Sequence, residues 1–60
     1  MNNIHVFVLT VWNEDTGEDI VEVYTNLSKD RAVKRLHDIQ EKAVALGQHI
    51  FASLVKRSLR

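Results

Sequence analysis

The chain has no cysteine, which removes two common means of stabilising a very small protein. Neither a disulfide bond nor a zinc site with thiolate ligands can hold the fold together. A lack of cysteine is also compatible with a reducing compartment. The only two glycines, Gly17 and Gly47, are isolated, so the sequence has no glycine-rich loop of the kind that cradles phosphate.

Two further absences concern membranes and targeting. The first residues, Met1-Asn2-Asn3, lack the positive charge and the small-residue cleavage site of a signal peptide. No apolar run approaches the ~20 residues that a membrane helix needs. We therefore expect a soluble, cytoplasmic protein without a membrane partner.

The 60 residues predict one small domain spanning 1–60, near the lower size limit for folding alone. A chain of this size buries only roughly 60% of its unfolded surface. A single thin core therefore barely offsets the conformational entropy lost on folding. Association with another chain is the remaining common source of stability.

Positive and negative charges balance in number but occupy different parts of the chain. No basic residue occurs before Lys29, whereas five acidic residues lie within 14–22. This asymmetry can steer the encounter with a charged partner. A solvated acidic turn beside a helix rich in solvated bases produces the same pattern.

The segment from Ile4 to Trp12 is apolar on both faces when it is drawn as a strand. Such a run of β-branched and aromatic residues is typical of a central strand that is covered on both sides. A chain this short has little material with which to cover two faces. We therefore expect a partner to cover one of them.

A polar segment with Gly17 near its end predicts a hairpin loop between this strand and a second strand at 20–25. We predict a register that pairs Trp12 with Ile20. A slip of one residue would exchange the two faces of the second strand. The predicted faces carry Phe7, Leu9, Val11, Val21 and Val23 on one side, and Ile4, Val6, Val8, Trp12, Ile20 and Tyr24, with Glu22 among them, on the other.

Helical periodicity predicts a helix over 29–46. Ser28 can cap its first N–H groups, Leu27 can pack against Ala32, and Gly47 can end it. The predicted apolar stripe consists of Ala32, Val33, Leu36, Ile39, Ala43 and Leu46.

The segment 48–60 fits either a strand or a second helix, because its apolar pairs also recur at helical spacing. A central first strand needs a neighbour on each edge, and a right-handed crossover would place a third strand beside it. We therefore predict an α+β fold of ββαβ order. It is a three-stranded antiparallel sheet in the order 2-1-3 with one helix packed on one face. A ββαα fold is the alternative.

Few residues indicate chemistry. His37 and Glu41 have a spacing that can chelate a cation, but His5 and His49 could complete a site only if the strands converged there. No metalloprotease motif or nucleophile elbow is present, and so small a core rarely encloses a substrate pocket. We expect no catalytic residue, metal, cofactor or small-molecule substrate, and hence no enzyme.

The apolar hairpin favours a protein-binding or regulatory module. Large amphipathic aromatic residues such as Trp12 and Tyr24 are enriched at binding hot spots. We predict a homodimer, or binding to a protein target, through a sheet face. One apolar face stays uncovered whichever side the helix takes. The predicted interface residues are Val6, Val8, Trp12, Ile20 and Tyr24.

Nucleic-acid binding is the alternative function. Basic residues lie along one side of the helix and at the carboxyl terminus, where they could contact phosphates. Zero net charge and the acidic hairpin argue against it. The candidate residues are Arg31, Arg35, Lys42, Lys56, Arg57 and Arg60.

In size and general layout the chain resembles the short accessory proteins that phages and prophages encode. Many of those are small α+β modules that inhibit or redirect a host protein. The resemblance implies a protein-binding role and assigns no site residues.

Overall fold

The computed structural model describes residues 4–59 and has the predicted ββαβ order. Strands β1 (Ile4–Asn13) and β2 (Asp19–Thr25) form a hairpin. A short 3-10 turn (Asn26–Ser28) leads into helix α1 (Lys29–Leu46), and β3 (Ile50–Leu59) follows. The sheet is antiparallel with the order β2-β1-β3. The prediction of a third strand is therefore confirmed, and the alternative of a second helix is wrong.

The two ends of α1 differ in how well the sequence predicted them. At the start, Ser28 makes no side-chain capping hydrogen bond, and its hydroxyl oxygen instead accepts from Thr25 Oγ1 at 3.2 Å. Leu27 is 96% exposed, so both the predicted cap and the predicted packing against Ala32 are wrong. At the other end Gly47 has the left-handed φ of 67°, as predicted.

Helix α1 packs against the sheet along a line narrower than the predicted stripe. Ala32 and Ala43 are buried and Leu36 and Ile39 are half-buried. The prediction was wrong for two flanking positions, since Val33 is 40% and Leu46 is 59% exposed. A single helix contacts a sheet through the positions spaced at 3 and 4 residues, so residues on the shoulders of that line remain in solvent.

The hairpin register differs by one residue from the prediction. Val11 lies opposite Ile20, and Trp12 lies opposite Asp19. Asn13 is the cause, because its side-chain Oδ1 accepts hydrogen bonds from the N–H groups of Asp15 and Thr16. Asparagine favours such tight turns, so the loop closes one residue earlier than predicted.

This register fixes which residues of each strand face α1. The side under the helix carries the buried residues Phe7, Leu9 and Val11 of β1. Half-buried residues from the two outer strands flank them, because directly paired residues share a face. These flanking residues are Ile20, Glu22 and Tyr24 of β2, and Ile50, Ala52 and Leu54 of β3.

The resulting molecule is thin and exposes more surface than its size requires. Its Cα radius of gyration is 13.0 Å, against about 10 Å for a compact chain of this length. The total exposed area is 4770 Å², against about 4,000 Å² for a folded monomer of this size. One helix on one face of the sheet leaves the other face without a covering layer.

Candidate protein-interaction face

The sheet face turned away from α1 is the candidate site, and we call it the open face. The antiparallel pairing brings residues of all three strands together on it in rows. Its apolar side chains and central hydroxyls belong to Val6, Val8, Thr10 and Trp12 of β1, Val21 and Val23 of β2, and Phe51, Ser53 and Val55 of β3, and Asp19, Thr25 and Arg57 lie at its corners.

The centre of the open face is a row of three valines. Val8 of β1 lies between Val23 of β2 and Val55 of β3. Cross-strand neighbours of this kind have Cβ atoms about 4.5–5.5 Å apart. Three β-branched side chains side by side give a flat, rigid apolar surface with little rotamer entropy to lose on binding.

One end of the open face is aromatic. Trp12 lies directly opposite Phe51, with Asp19 on its other side. Trp12 is 44% and Phe51 63% exposed. Aromatic side chains of this size contribute much of the binding energy of protein interfaces.

The polar pair within the open face is joined by a hydrogen bond, which uses one of its two hydroxyl protons. Thr10 and Ser53 lie opposite each other, and their hydroxyl oxygens are joined by a hydrogen bond of 2.7 Å. A hydroxyl that already has a hydrogen-bond partner costs much less to remove from water than an unpaired one. This pair therefore allows the whole face to be covered by apolar surface.

The sequence placed part of the predicted interface on this face. Val6, Val8 and Trp12 lie on it, but the placement of Ile20 and Tyr24 was wrong because of the shifted register. Both lie under or beside the helix. The prediction also omitted four apolar members of the open face: Val21, Val23, Phe51 and Val55.

Tyr24 belongs instead to a polar cluster on the helix side. Its hydroxyl donates to Glu22 Oε1 at 2.6 Å, and Arg35 Nη2 lies 3.1 Å from Glu22 Oε2. The Arg35 hydrogen bonds, followed by that of Tyr24, hold the pKa of the Glu22 carboxyl below its ordinary value. The cluster ties α1 to the edge strand β2.

A second polar cluster connects the two loops at the aromatic end of the sheet. The backbone N–H of His49 donates to Asp15 Oδ2 at 2.6 Å, and the His49 ring Nδ1 lies 3.4 Å from the same oxygen. Asn13 Nδ2 donates to Gln48 Oε1 at 3.0 Å. The His49 backbone hydrogen bond is the main reason that the pKa of Asp15 is lowered. These contacts hold β1 and β3 together beside Trp12 and Phe51.

Acid is expected to weaken the fold through these two clusters. Asp15 and Glu22 both have folded-state pKa values below their ordinary values. Each therefore stabilises the fold above its unfolded pKa, and this contribution is lost as the pH falls through the folded pKa, below about pH 4. Urea midpoints measured at pH 7 and pH 3 test this expectation.

The control for the acid prediction is the double variant Asp15→Asn, Glu22→Gln. It keeps the shapes of both side chains but removes the two titrating carboxyls. Its urea midpoint is expected to fall less between pH 7 and pH 3 than that of the wild type. An equal fall in both proteins would contradict the assignment.

The basic residues proposed for nucleic-acid contact do not share one surface. Arg35 is engaged with Glu22. Lys56 lies opposite Phe7 on the helix side of the sheet, whereas Arg57 lies opposite Val6 on the open face. Arg31 and Lys42 are exposed on α1, and Arg60 lies outside the described residues. The pleat of β3 therefore separates the carboxyl-terminal bases.

The three histidines lie far apart in the fold. His5 pairs with Ser58 near one end of the sheet, His37 lies on α1, and His49 precedes β3 at the opposite end of the sheet. Within residues 4–59 no group of three or more histidine or carboxylate side chains could hold a metal ion. The convergence that a metal site would require does not occur in this part of the chain.

Comparisons with family models, curated proteins and solved structures found no match to this chain. Across residues 4–59, no helix combines the length and apolar character needed to cross a bilayer.

Proposed function

We propose that this protein is a small, non-enzymatic interaction module that binds protein through its open face, and that it works in the cytoplasm. The observation that carries the proposal is the exposure of large apolar side chains on one side of the sheet. Val21, Val23 and Phe51 are 62–64% exposed, and Trp12 and Val55 are 44% and 42% exposed. Contiguous apolar patches above a few hundred Å² are uncommon on soluble monomers and mark interaction sites.

The layout of the face supports a protein ligand. It is an open surface formed by three strands, whereas small-molecule sites are concave and enclose most of their ligand. Its centre consists of valines and its polar pair is already hydrogen-bonded. An apolar centre with aromatic residues at one end is the usual composition of a protein interface core.

A titration with nonspecific duplex DNA at low and moderate salt separates this function from nucleic-acid binding. We expect no measurable binding at moderate salt, because the acidic hairpin repels DNA and Lys56 and Arg57 point to opposite faces. An affinity that falls steeply with salt would contradict the proposal. Its loss in a variant with Lys56, Arg57 and Arg60 neutralised would then assign the binding to those bases.

A further inference from the structure

We infer that the open face is covered by a second copy of this chain, in a symmetric dimer with the two sheets packed face to face. The inference rests on the proposed function, since it names the protein that the open face binds. The two helices would then lie on the outside of a four-layer assembly. A two-fold axis makes such an interface self-complementary, because each copy contributes the same patch.

The exposed area of the chain matches what such a dimer would remove. The 4770 Å² of exposed surface exceeds the roughly 4,000 Å² of a typical folded monomer of this size by about 800 Å². One partner in a standard stable interface buries about the same area, ~800 Å². An interface of standard size would therefore remove an area of the same order as this excess.

The shape of the face also suits a second sheet. Two sheets pack about 10 Å apart with their strands within about 30° of alignment. The central valine row, Val23, Val8 and Val55, offers β-branched apolar side chains from all three strands to the facing sheet. The Thr10–Ser53 pair beside it is internally hydrogen-bonded, which lowers the cost of removing these two hydroxyls from water.

Charge indicates how the two copies are oriented. Asp19 and Arg57 lie at opposite ends and on opposite edges of the open face, beside Trp12 and Val6 respectively. Neither forms an ion pair within residues 4–59. A two-fold axis that runs across the strands brings the Arg57 end of each copy over the Asp19 end of the other, with the two charges on opposite edges, two strand spacings (about 10 Å) apart. A two-fold axis parallel to the strands would instead place the two Asp19 ends together and the two Arg57 ends together.

This orientation has a consequence for the aromatic end. Because the strand directions of the two copies are reversed, Trp12 of one copy lies over the Val6 end of its partner. The valine row of one copy then meets the row that contains Val21 and Thr10 of the other. Val23 thus covers Val21 of the partner copy, Val8 and Val55 cover its hydrogen-bonded Thr10–Ser53 pair, and the charges lie at the rim.

Sedimentation equilibrium at tens of micromolar, combined with anilinonaphthalene sulfonate fluorescence, tests the inference. We expect twice the mass of the chain and no dye binding. A monomer that binds the dye would overturn the second copy as the occupant but would leave the open face available to another protein. A monomer that does not bind the dye would overturn both this inference and the proposed function.

Charge exchange tests the orientation. Arg57→Glu and Asp19→Arg are each expected to weaken dimerisation by up to about twofold, because the opposite charges lie roughly a Debye length apart, and the double variant is expected to restore it. Lys56→Glu is the matched control, because Lys56 neighbours Arg57 but lies on the helix side. It should leave dimerisation unchanged. A double variant weaker than both single variants would overturn the axis across the strands.

Discussion

Leu9→Asp is expected to unfold the protein. Leu9 is the one large side chain of the described residues that is fully buried, with 0% of its surface exposed. It lies at the centre of the sheet between Glu22 and Leu54, beneath α1. A carboxylate there would lose its hydration without gaining a partner, which costs several kcal/mol. A chain of 60 residues has a total stability of only about 3–9 kcal/mol.

The milder variant Leu9→Ala makes the same prediction measurable. The lost contacts and the remaining cavity should reduce the free energy of unfolding by about 2–5 kcal/mol in urea titrations. Val44→Ala is the control, because Val44 is 79% exposed on the helix, and its loss should change stability by less than about 0.5 kcal/mol. Equal effects of the two variants would contradict the placement of the core.

Val23→Asp is expected to give a folded monomer. Val23 is 64% exposed on an edge strand, so the monomer accommodates a carboxylate there without burying it. In the dimer the same carboxylate would be buried without a partner, and it would be present twice. We expect the dissociation constant to rise at least ~100-fold, which corresponds to about 2.8 kcal/mol. Sedimentation equilibrium measures the constant, and circular dichroism reports whether the fold is kept.

Two further variants complete this comparison. Val44→Asp introduces the same charge at an exposed apolar position on α1, away from the open face, and should leave the dimer intact. Val23→Thr keeps the β-branched shape and replaces the aspartate variant if that variant does not fold. We expect it to weaken the dimer about tenfold, which corresponds to 1.4 kcal/mol. A dissociation constant that neither substitution at Val23 changes would contradict the proposal that the open face forms the interface.

The sequence predicted the plan of the fold because its strongest patterns are local or follow from β1. The run 4–12, which is apolar on both faces, required a strand on each side, and this requirement favoured a strand over a helix for the segment 48–60. Gly47 marked the end of α1 through its freedom to adopt a positive φ of 67°. An uncovered apolar face followed from one helix on a three-stranded sheet in either register.

The composition of that face could not be predicted as reliably, because it depends on one residue in a loop. Asn13 accepts two backbone hydrogen bonds and shortens the hairpin loop, which turns Ile20 and Tyr24 under the helix and Val21 and Val23 away from it. The preference of asparagine for such turns was the available signal. The faces of β3 depend on its pairing with β1, which joins residues 37 to 55 positions apart in sequence.

The start of α1 shows a different limit of prediction from local residue types. Ser28 and Leu27 have the residue types of a helix cap and its apolar contact. The 3-10 turn at Asn26–Ser28 places the Ser28 hydroxyl beside Thr25 and leaves Leu27 in solvent. A short connection between an edge strand and a helix fixed over the sheet overrides such local preferences.

The most direct test of the dimer is an isotope-filtered nuclear Overhauser experiment on a mixture of labelled and unlabelled protein. This experiment detects only contacts between copies. The antiparallel face-to-face dimer predicts contacts from the indole protons of Trp12 in one copy to the methyl groups of Val6 in the other. Contacts that reach only methyl groups on the helix, such as those of Val44, or no contacts at all at millimolar concentration, would contradict it.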